Sequence, residues 1–267
     1  MNVSMISIVV ISCDKNCYLW DGFFKLMRKY WPHHPLKIVL STETLSYSDV
    51  LVSNSRFKDE DWSSRLYHAI CDAGTEYVIL MLDDFFIKDF VNEEKLGKYF
   101  DIIVEDETVA AISLESQPGC STKSSYLRDG LVLRQRFAPY RINAQPTVWR
   151  SEYLVNILRK GESPWQFELS GTFRSVFANR CLYAIDRNQQ SIIPTDKGWL
   201  VIRGVLNEDL VIYYHDKEDI DLFPYFSNSN QIADARKKPR LTRLFGYYVE
   251  CFKSLGYKRF NLKDREL

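Results

Sequence analysis

A six-residue apolar run that ends in two adjacent carboxylates constrains the fold more than any other feature of this sequence. The run is Tyr77-Val78-Ile79-Leu80-Met81-Leu82, and Asp83-Asp84 follow it directly. A strand with no polar residue on either face is typical of parallel sheets covered by helices on both sides. In such open sheets, ligands bind beyond the carboxyl ends of the strands. The sequence therefore predicts an α/β fold with ligand-facing residues at 83 and 84.

Apolar periodicity extends this interpretation to an alternating α/β chain. Ile6-Ser7-Ile8-Val9-Val10-Ile11-Ser12 predicts another buried strand, and a helical pattern follows it and stops before Pro32. Asp61 suits the N-cap of the next helix and Gly74 its end. The predicted helices are 19–30, 62–73, 92–104, 151–159 (N-capped by Ser151) and 165–177. The predicted strands are 6–12, 36–40, 77–82, 109–114, 131–137, 144–149, 182–185 and 210–214.

Positive and negative residues are equal in number over the 267 residues, but they are unevenly distributed along the sequence. Residues 236–267 contain ten Lys/Arg and three Asp/Glu, so this segment carries +7 and the first 235 residues carry −7. A nucleic-acid-binding domain would normally be dominated by its basic patch, which argues against that class of partner. The basic end is better suited to an anionic membrane surface.

Hydropathy and cysteine usage indicate a cytoplasmic protein. No run approaches 18 apolar residues, and Met1–Ser12 has neither a basic n-region nor a small-residue cleavage site. The six cysteines have no pairing rhythm, and Cys13 and Cys17 have no nearby His or second Cys pair for a zinc site. We expect reduced thiols that lie mostly in the core.

The acidic pair at residues 83 and 84 has two readings. Aspartate is common in turns and at helix caps, so the pair can be purely structural. Alternatively, one carboxylate can face a divalent cation or a ribose while the other holds the loop. The surrounding sequence favours the second reading.

Five motifs accompany the acidic strand in a fixed order. They are Ser12-Cys13-Asp14, Trp62-Ser63-Ser64-Arg65-Leu66, Gln145-Pro146-Thr147-Val148-Trp149-Arg150, Pro164-Trp165-Gln166-Phe167-Glu168 and Lys197-Gly198-Trp199. Together with Glu76–Phe86, they resemble bacterial glycosyltransferases of the GT-A fold, and more narrowly those that build capsular and O-antigen polysaccharides. The resemblance covers roughly residues 5–205.

The resemblance implies a Rossmann-like GT-A domain over residues 1–230, with a mostly parallel central sheet and flanking helices. Residues 1–115 would be the nucleotide-sugar-binding half, 116–230 the acceptor-binding half, and 231–267 a basic helical tail. It also implies an inverting transfer of a sugar to a growing bacterial surface glycan. The donor would be a nucleoside diphosphate-sugar, with UDP favoured over GDP or dTDP.

Site residues follow from the matching motifs. Glu168 would be the catalytic base that takes the proton from the acceptor hydroxyl, although an acidic residue near a helix start is also favoured by the macrodipole. Each basic candidate could instead be a solvated surface charge. The donor would be bound by Ser12, Asp14, Arg65, Asp83, Asp84, Lys197 and Arg203. The acceptor would be bound by Gln145, Trp149 and Trp165.

One departure from the family pattern affects the metal. The usual motif is Asp-x-Asp, and Phe85 occupies the place of its second carboxylate. Either Asp84 joins Asp83 in holding Mg²⁺ or Mn²⁺, or the enzyme needs no metal; His215 is a lesser candidate ligand. The departure also leaves open a catalytically silent domain that binds a glycan or a partner enzyme. A sugar nucleotidyltransferase ranks lower, because no Gly-rich basic loop follows the first strand.

The basic tail predicts an amphipathic helix. Leu241, Leu244, Phe245, Tyr248 and Phe252 share one helical face, and Leu255 extends it. Such a helix can lie on an anionic bilayer, which would place the protein at the inner face of the cell membrane, near a lipid-linked acceptor. Equally, it can pack on the domain with its charges solvated.

Overall fold

The computed structural model describes residues 2–117, 120, 126–196, 200–202, 204–226, 249, 256 and 258–260. Within these ranges, helices cover both faces of a central sheet. The strands are β1 (Ile6–Ile11), β2 (Lys37–Thr42), β3 (Leu51–Asn54), β4 (Tyr77–Leu82), β5 (Val109–Ser116), β6 (Tyr126–Leu127), β7 (Leu131–Leu133), β8 (Thr147–Arg150), β9 (Cys181–Ile185), β10 (Val201–Ile202) and β11 (Val205–Leu206). The helices are α1 (Trp20–Tyr30), α2 (Trp62–Ala73), α3 (Glu93–Glu105), α4 (Ser151–Ile157), α5 (Pro164–Ser175) and α6 (Glu208–Glu218).

The sheet order places the acidic strand at its centre. Nine strands follow the order β3-β2-β1-β4-β8-β5-β9-β7-β6, and β10 and β11 form a separate hairpin. The pairs β3–β2, β2–β1, β1–β4 and β5–β9 are parallel, whereas β8 is antiparallel to both β4 and β5. The predicted α/β class, a mostly parallel sheet with flanking helices, is confirmed. In the second half of the chain, β7 also runs antiparallel to its neighbours β9 and β6.

Burial on both faces explains the apolar composition of β4. Tyr77, Ile79 and Met81 pack into one core with α1, α3 and α6, whereas Val78 and Leu80 pack into a second core with α2, α4 and α5. Because alternate side chains of a strand point to opposite faces, every position of β4 needs an apolar residue.

Local sequence signals fix the helices that reach the carboxyl edge of the sheet. Asp61 accepts a hydrogen bond from the Ser64 N–H at the start of α2, and Gly74 ends that helix with a φ of +68°. At the start of α5, Ser163 and Gln166 form a reciprocal capping box, and Pro164 between them is the first residue of the helix. Both helices run back toward the following strand, so their N-termini lie at the carboxyl edge.

One strand prediction and one N-cap prediction need correction. Residues 210–214 were expected to form a strand, but they belong to α6, whose N-cap Asn207 accepts a hydrogen bond from the Asp209 N–H. The three-residue spacing of the buried Val211 and Tyr214 fits a helix. Helix α4 already begins at Ser151, with Arg150 rather than Ser151 as its N-cap.

The cysteine prediction is confirmed in part. Among the described cysteines, Cys13, Cys17, Cys71, Cys120 and Cys181 are free thiols, but none of them is fully buried. No helix among the described residues is long and apolar enough to cross a bilayer.

The far end of the tail contacts the domain. The ring of Phe260 stacks on Tyr67 of α2 with centroids 4.6 Å apart, and the Lys160 N–H donates to the Lys258 carbonyl over 3.0 Å. Val249 is helical. Apart from Val249, residues 241–255, which carry the predicted amphipathic face, lie outside the described residues.

Candidate functional site

A cleft of about 1040 Å³ opens at the carboxyl edge of the sheet, beside the end of β4. Six segments contribute to it: the turn after β1, the N-terminus of α2, the end of β4, the loop before β8, the N-terminus of α5 and the β10–β11 hairpin. Its wall includes Ser12, Cys13, Asn16, Trp62, Arg65, Asp83, Asp84, Phe85, Tyr140, Ala144, Trp165 and Glu168. The acidic pair and Glu168, far apart in sequence, therefore share one cavity.

Asp83 is a buried carboxylate that organises the floor of the cleft. Only 4% of it is exposed. Ser12 follows β1 as Asp83 follows β4, and the Ser12 hydroxyl donates to Asp83 Oδ2. Asn16 Nδ2 donates to Oδ1 over 3.4 Å, and the Trp20 indole N–H donates to the Ser12 hydroxyl over 2.7 Å. Burial raises the pKa of Asp83 to about 6, although the two side-chain donors act in the opposite direction.

Asp84 differs from its neighbour because no described side chain donates a hydrogen bond to it. Burial, together with the charges of Asp83 and Asp196, raises the pKa of Asp84 to about 8. Asp196 lies after the turn that brings the chain back to β4 and accepts a hydrogen bond from the Tyr214 hydroxyl over 3.1 Å. Asp84 is thus a half-buried carboxylate in a negative environment without a neutralising partner among the described residues.

The acidic pair fits a hard divalent cation. Mg²⁺ and Mn²⁺ prefer oxygen ligands, and Mg²⁺ is commonly held by one or two carboxylates plus phosphates and water. The elevated pKa of Asp84 reflects repulsion that a cation would relieve. No cluster of three or more His, Cys, Asp or Glu side chains suited to a metal occurs in the described part of the chain. The remaining ligands would therefore come from a bound phosphate group and water.

Glu168 lies in the second turn of α5 and faces the same cleft. Its Oε1 accepts a hydrogen bond from the Ala144 N–H over 3.0 Å, which fixes the carboxylate against the loop before β8. Burial raises the pKa of Glu168, and the Ala144 N–H and the Arg134 charge oppose this rise. A carboxylate with a raised pKa is a stronger base than a solvated one.

Two aromatic side chains stand at the rim of the cleft. Trp165 is 71% exposed although it lies on a helix whose neighbouring Phe167 is fully buried. Tyr140 is 49% exposed and has a φ of +51°, an uncommon backbone conformation for a bulky residue. Flat, exposed rings at a cleft entrance offer stacking surfaces to sugar rings or bases.

The donor-side predictions divide into two groups. Ser12, Arg65, Asp83 and Asp84 all line the cleft. Arg65 is buried and fixes the turn after β1, donating to the Ser12 carbonyl over 2.6 Å and pairing with Glu43 at 3.0 Å.

Asp14 lies outside this cleft wall. Its carboxylate accepts hydrogen bonds from the N–H groups of Glu43, Thr44 and Leu45. Partial burial alone would raise the pKa of Asp14, but these donors and the Thr44 hydroxyl lower it. Asp14 therefore fastens the loop after β2 to the turn after β1.

Two acceptor-side predictions are not brought to the cleft. Trp149 is 2% exposed and stacks on Tyr153 within the core, so its predicted contact with an acceptor is wrong. Gln145 is half-buried, and its side-chain oxygen accepts a hydrogen bond from Gln117. Because β8 is antiparallel to β4, Trp149 lies opposite Val78 near the amino end of β4, and its ring packs into the core beneath α2, α4 and α5.

The remaining candidates lie elsewhere. Lys197 and Arg203 lie outside the described residues. His215 is exposed on α6, where its Nδ1 lies 2.9 Å from Asp216 Oδ1, and it is not part of the cleft wall. The structure adds Asn16, Tyr140 and Asp196, which sequence reasoning missed. Asn16 lies in a turn at a strand end, a detectable signal, whereas Asp196 approaches Asp84 only through the tertiary fold.

Fold and cleft together define the class of the molecule: an α/β protein with a mostly parallel sheet, flanking helices and a carboxylate-bearing cleft at the carboxyl edge of that sheet. Neither a protein-family model nor a curated protein matches the sequence.

Solved structures to which the chain is similar include TarS and a synthase. The TarS 1–349 structure from S. aureus has 13% identity and a TM-score of 0.46, covering 68% of this chain and 58% of that chain. Its complex with UDP-GlcNAc has 14% identity and a TM-score of 0.44, covering 70% and 60%. Glucosyl-3-phosphoglycerate synthase from Mycobacterium tuberculosis, with Mn²⁺, UDP and phosphoglyceric acid, has 10% identity and a TM-score of 0.43, covering 67% of each chain. The chain thus spans about three-fifths of these TarS chains.

Proposed function

We propose that this protein is a glycosyltransferase that moves a sugar from a nucleoside diphosphate-sugar to a glycan acceptor. The observation that carries the proposal is the single cleft that joins Asp83 and Asp84 to Glu168. A sugar transfer needs positive charge, such as a bound divalent cation, beside the departing diphosphate and, within reach, a base for the attacking hydroxyl. The cleft contains carboxylates that could hold such a cation and a separate carboxylate that could act as the base, and exposed aromatic rings stand at its entrance.

On the donor side, Asp84 would hold the cation that accompanies the diphosphate, and Asp83 would hold the turn against which the nucleotide lies. This division follows from their contacts, because Asp83 is bonded to Ser12 and Asn16 whereas Asp84 is free of side-chain donors within the described residues. When bound, the cation would neutralise charge that develops on the leaving diphosphate. Phe85 then needs no metal-binding role, and its burial at 6% exposure suits a core residue.

On the acceptor side, Glu168 would accept the proton from the acceptor hydroxyl as its oxygen attacks the anomeric carbon. The bond from that carbon to the diphosphate oxygen breaks in the same step, and the configuration inverts. The Ala144 N–H holds one oxygen of Glu168 in place. Trp165, exposed beside it, would stack on the acceptor sugar.

The biological setting we propose is assembly of a bacterial surface glycan, such as a capsule or O-antigen. An acceptor on a lipid carrier would bring the enzyme to the inner face of the cell membrane, where the basic tail, with its +7 charge, is suited to anionic lipids. This setting rests on the sequence motifs rather than on the cleft.

A donor panel tests the proposed activity. Release of UDP, GDP or dTDP would be assayed across nucleotide sugars with Mn²⁺ or Mg²⁺ present, beginning with UDP-sugars, because UDP-GlcNAc is bound in the TarS structure and UDP in the synthase structure. Turnover of one donor supports a transferase. Donor binding without turnover on any acceptor would instead indicate a silent binding domain, and pyrophosphate-dependent nucleotide exchange would indicate a nucleotidyltransferase.

A single substitution tests the proposed base. Glu168→Gln should lower kcat by about 10²–10⁴, because a general base contributes that much, and should leave donor affinity unchanged. Glu152→Gln on α4, an exposed position, is the matched control and should retain full turnover. Wild-type kcat in Glu168→Gln would remove Glu168 as the base.

A further inference from the structure

Two arginines are buried on the side of the sheet that carries Glu168, without carboxylate partners. Arg134 follows β7 and is 3% exposed, and Arg141 in the loop before β8 is 4% exposed. Arginine is rarely buried unless its charge is paired. Neither guanidinium forms an ion pair with a described residue.

The terminal nitrogens of both arginines donate hydrogen bonds to neutral backbone carbonyls. Arg134 donates to the carbonyls of Arg141 and Tyr140 over 2.7 and 2.6 Å. Arg141 donates to the carbonyls of Ser175 and Arg180 over 2.8 and 3.2 Å. These bonds hold the loop that presents Ala144 to Glu168, but they bring no negative charge, and the Glu168 carboxylate attracts Arg134 without forming an ion pair with it.

A cavity of about 10 Å³ lies between these side chains, and we call it the two-arginine cavity. Arg134, Arg141 and Trp149 all contribute to its wall, and each has a buried ring or guanidinium N–H without an acceptor: both Nε atoms and the indole Nε1. Three unpaired donors around one space require an occupant that accepts hydrogen bonds.

The size of the cavity and the positive charge of its wall limit which species can occupy it. The cavity is on the scale of one water molecule, so phosphate, sulfate and carboxylates are too large for it. Water accepts only two hydrogen bonds readily and brings no charge, whereas a monatomic anion accepts from all three donors and neutralises one guanidinium. The donor set therefore favours an anion over water.

We propose that the two-arginine cavity binds a single chloride ion, held by the Nε–H groups of Arg134 and Arg141 and the indole N–H of Trp149. The ion completes the charge balance behind the loop of residues 134–144, which carries Tyr140 and Ala144 to the cleft. Burial and the neighbouring Arg141 charge lower the pKa of Arg134 to about 10, although Cys120 and Glu168 oppose this decrease. This binding does not depend on the proposed transferase activity.

Thermal unfolding of the full chain in sodium chloride and sodium gluconate at equal ionic strength tests the proposal. Chloride should raise Tm along a saturating curve, because a ligand that binds only the folded state stabilises it. Trp149→Phe removes one donor at nearly constant shape and should weaken chloride binding about fivefold, as expected for one hydrogen bond. Trp31→Phe, at another buried tryptophan, and Arg187→Gln, at an exposed arginine, should keep the wild-type chloride dependence.

A crystal grown in bromide provides the direct measurement, with one anomalous peak expected between Arg134 and Arg141. Equal Tm values in chloride and gluconate, or no anomalous peak at that position, would overturn the proposal and leave water as the occupant. A chloride effect that is unchanged in Trp149→Phe would also overturn it, because the ion would then bind elsewhere. Trp149→Phe keeps the experiment decisive even if substitutions of Arg134 prevent folding.

Discussion

At the scale of single residues, the two adjacent aspartates have different roles although they are chemically identical. The Asp83 carboxylate accepts hydrogen bonds from Ser12 and Asn16, whereas the Asp84 carboxylate lines the cleft and remains available to a ligand. Their raised pKa values mean that negative charge on either carboxylate is unfavourable in the folded protein, chiefly because of burial. Such tension is common where a site is shaped for a ligand rather than for stability.

This tension gives a prediction about stability and pH. The pKa of Asp84 in the folded protein, about 8, lies above that of the unfolded chain, near 3.8. The folded state therefore holds this proton more tightly, and stability falls as pH rises between these values. Asp84→Asn should raise the free energy of unfolding at pH 8.5 by on the order of 2 kcal/mol, with no gain at pH 3.5. Urea denaturation at both pH values measures it.

A divalent cation provides the matching control. Mn²⁺ should raise the Tm of the wild-type protein at pH 8, because it neutralises the acidic pair, and should have little effect on Asp84→Asn. Asp209→Asn on α6, an exposed position, should respond to Mn²⁺ like wild type. An identical Mn²⁺ response in Asp84→Asn and wild type would exclude Asp84 as a ligand.

Some residues of the cleft could be predicted from the sequence, and others could not. The acidic pair, Ser12 and Arg65 could be predicted because strand ends and helix starts have local signals. Asp196 could not, since its approach to Asp84 depends on a chain reversal far along the sequence. Trp149 was misassigned because a motif gives the order of residues but not the face of the strand on which each one lies.

At the scale of elements, α5 positions the proposed base, and a buried ion pair fixes this helix. Arg174 near its end makes two bonds to Glu162, at 2.7 and 2.8 Å, and Glu162 is fully buried. The Glu162 backbone also exchanges hydrogen bonds with Ser63 at the start of α2. The two helices that carry Arg65 and Glu168 are therefore joined at their N-terminal ends.

Breaking this pair should destabilise the protein and disturb the cleft. Glu162→Gln leaves the buried Arg174 charge uncompensated and should lower the free energy of unfolding by about 3 kcal/mol. Chemical denaturation measures the loss, with the exposed Glu152→Gln as the control. A change below about 0.5 kcal/mol, the range of ordinary surface substitutions, would contradict a structural role for the pair.

Element prediction succeeded where caps and periodicity agree. Helix α2 was predicted residue by residue because Asp61 and Gly74 mark both ends. Helix α6 was mistaken for a strand because its apolar stretch is short, and short apolar runs do not distinguish the two states. The position of β8 between β4 and β5 is a tertiary pairing without a local signal.

At the scale of the whole molecule, the C-terminal segment returns to the domain. Residues 258–260 contact α2 and the loop after α4, through Tyr67 and Lys160. Membrane contact by the tail would therefore have to be compatible with this packing of residues 258–260 on the domain.

Liposome flotation tests the membrane proposal. The full chain should float with vesicles that contain anionic lipids and not with neutral ones, and removal of residues 236–267 should abolish flotation. Raising the salt concentration should weaken binding, because each basic residue contributes about 1 kcal/mol through a screened interaction. Equal flotation of the full and shortened chains would end the idea. Phe260→Ala separates anchoring from lipid contact, since it should reduce stability without reducing flotation.

The central position of β4 has a consequence for how the chain is made. Its partner β1 is synthesised before it, but its other partner, β8, is synthesised about 65 residues later. At ribosomal rates of about 5–20 residues per second, one edge of the most apolar strand waits roughly 3–13 s for its neighbour. During that interval the nascent chain presents an open edge to other nascent chains. The strand that places the acidic pair is also where aggregation during expression should begin.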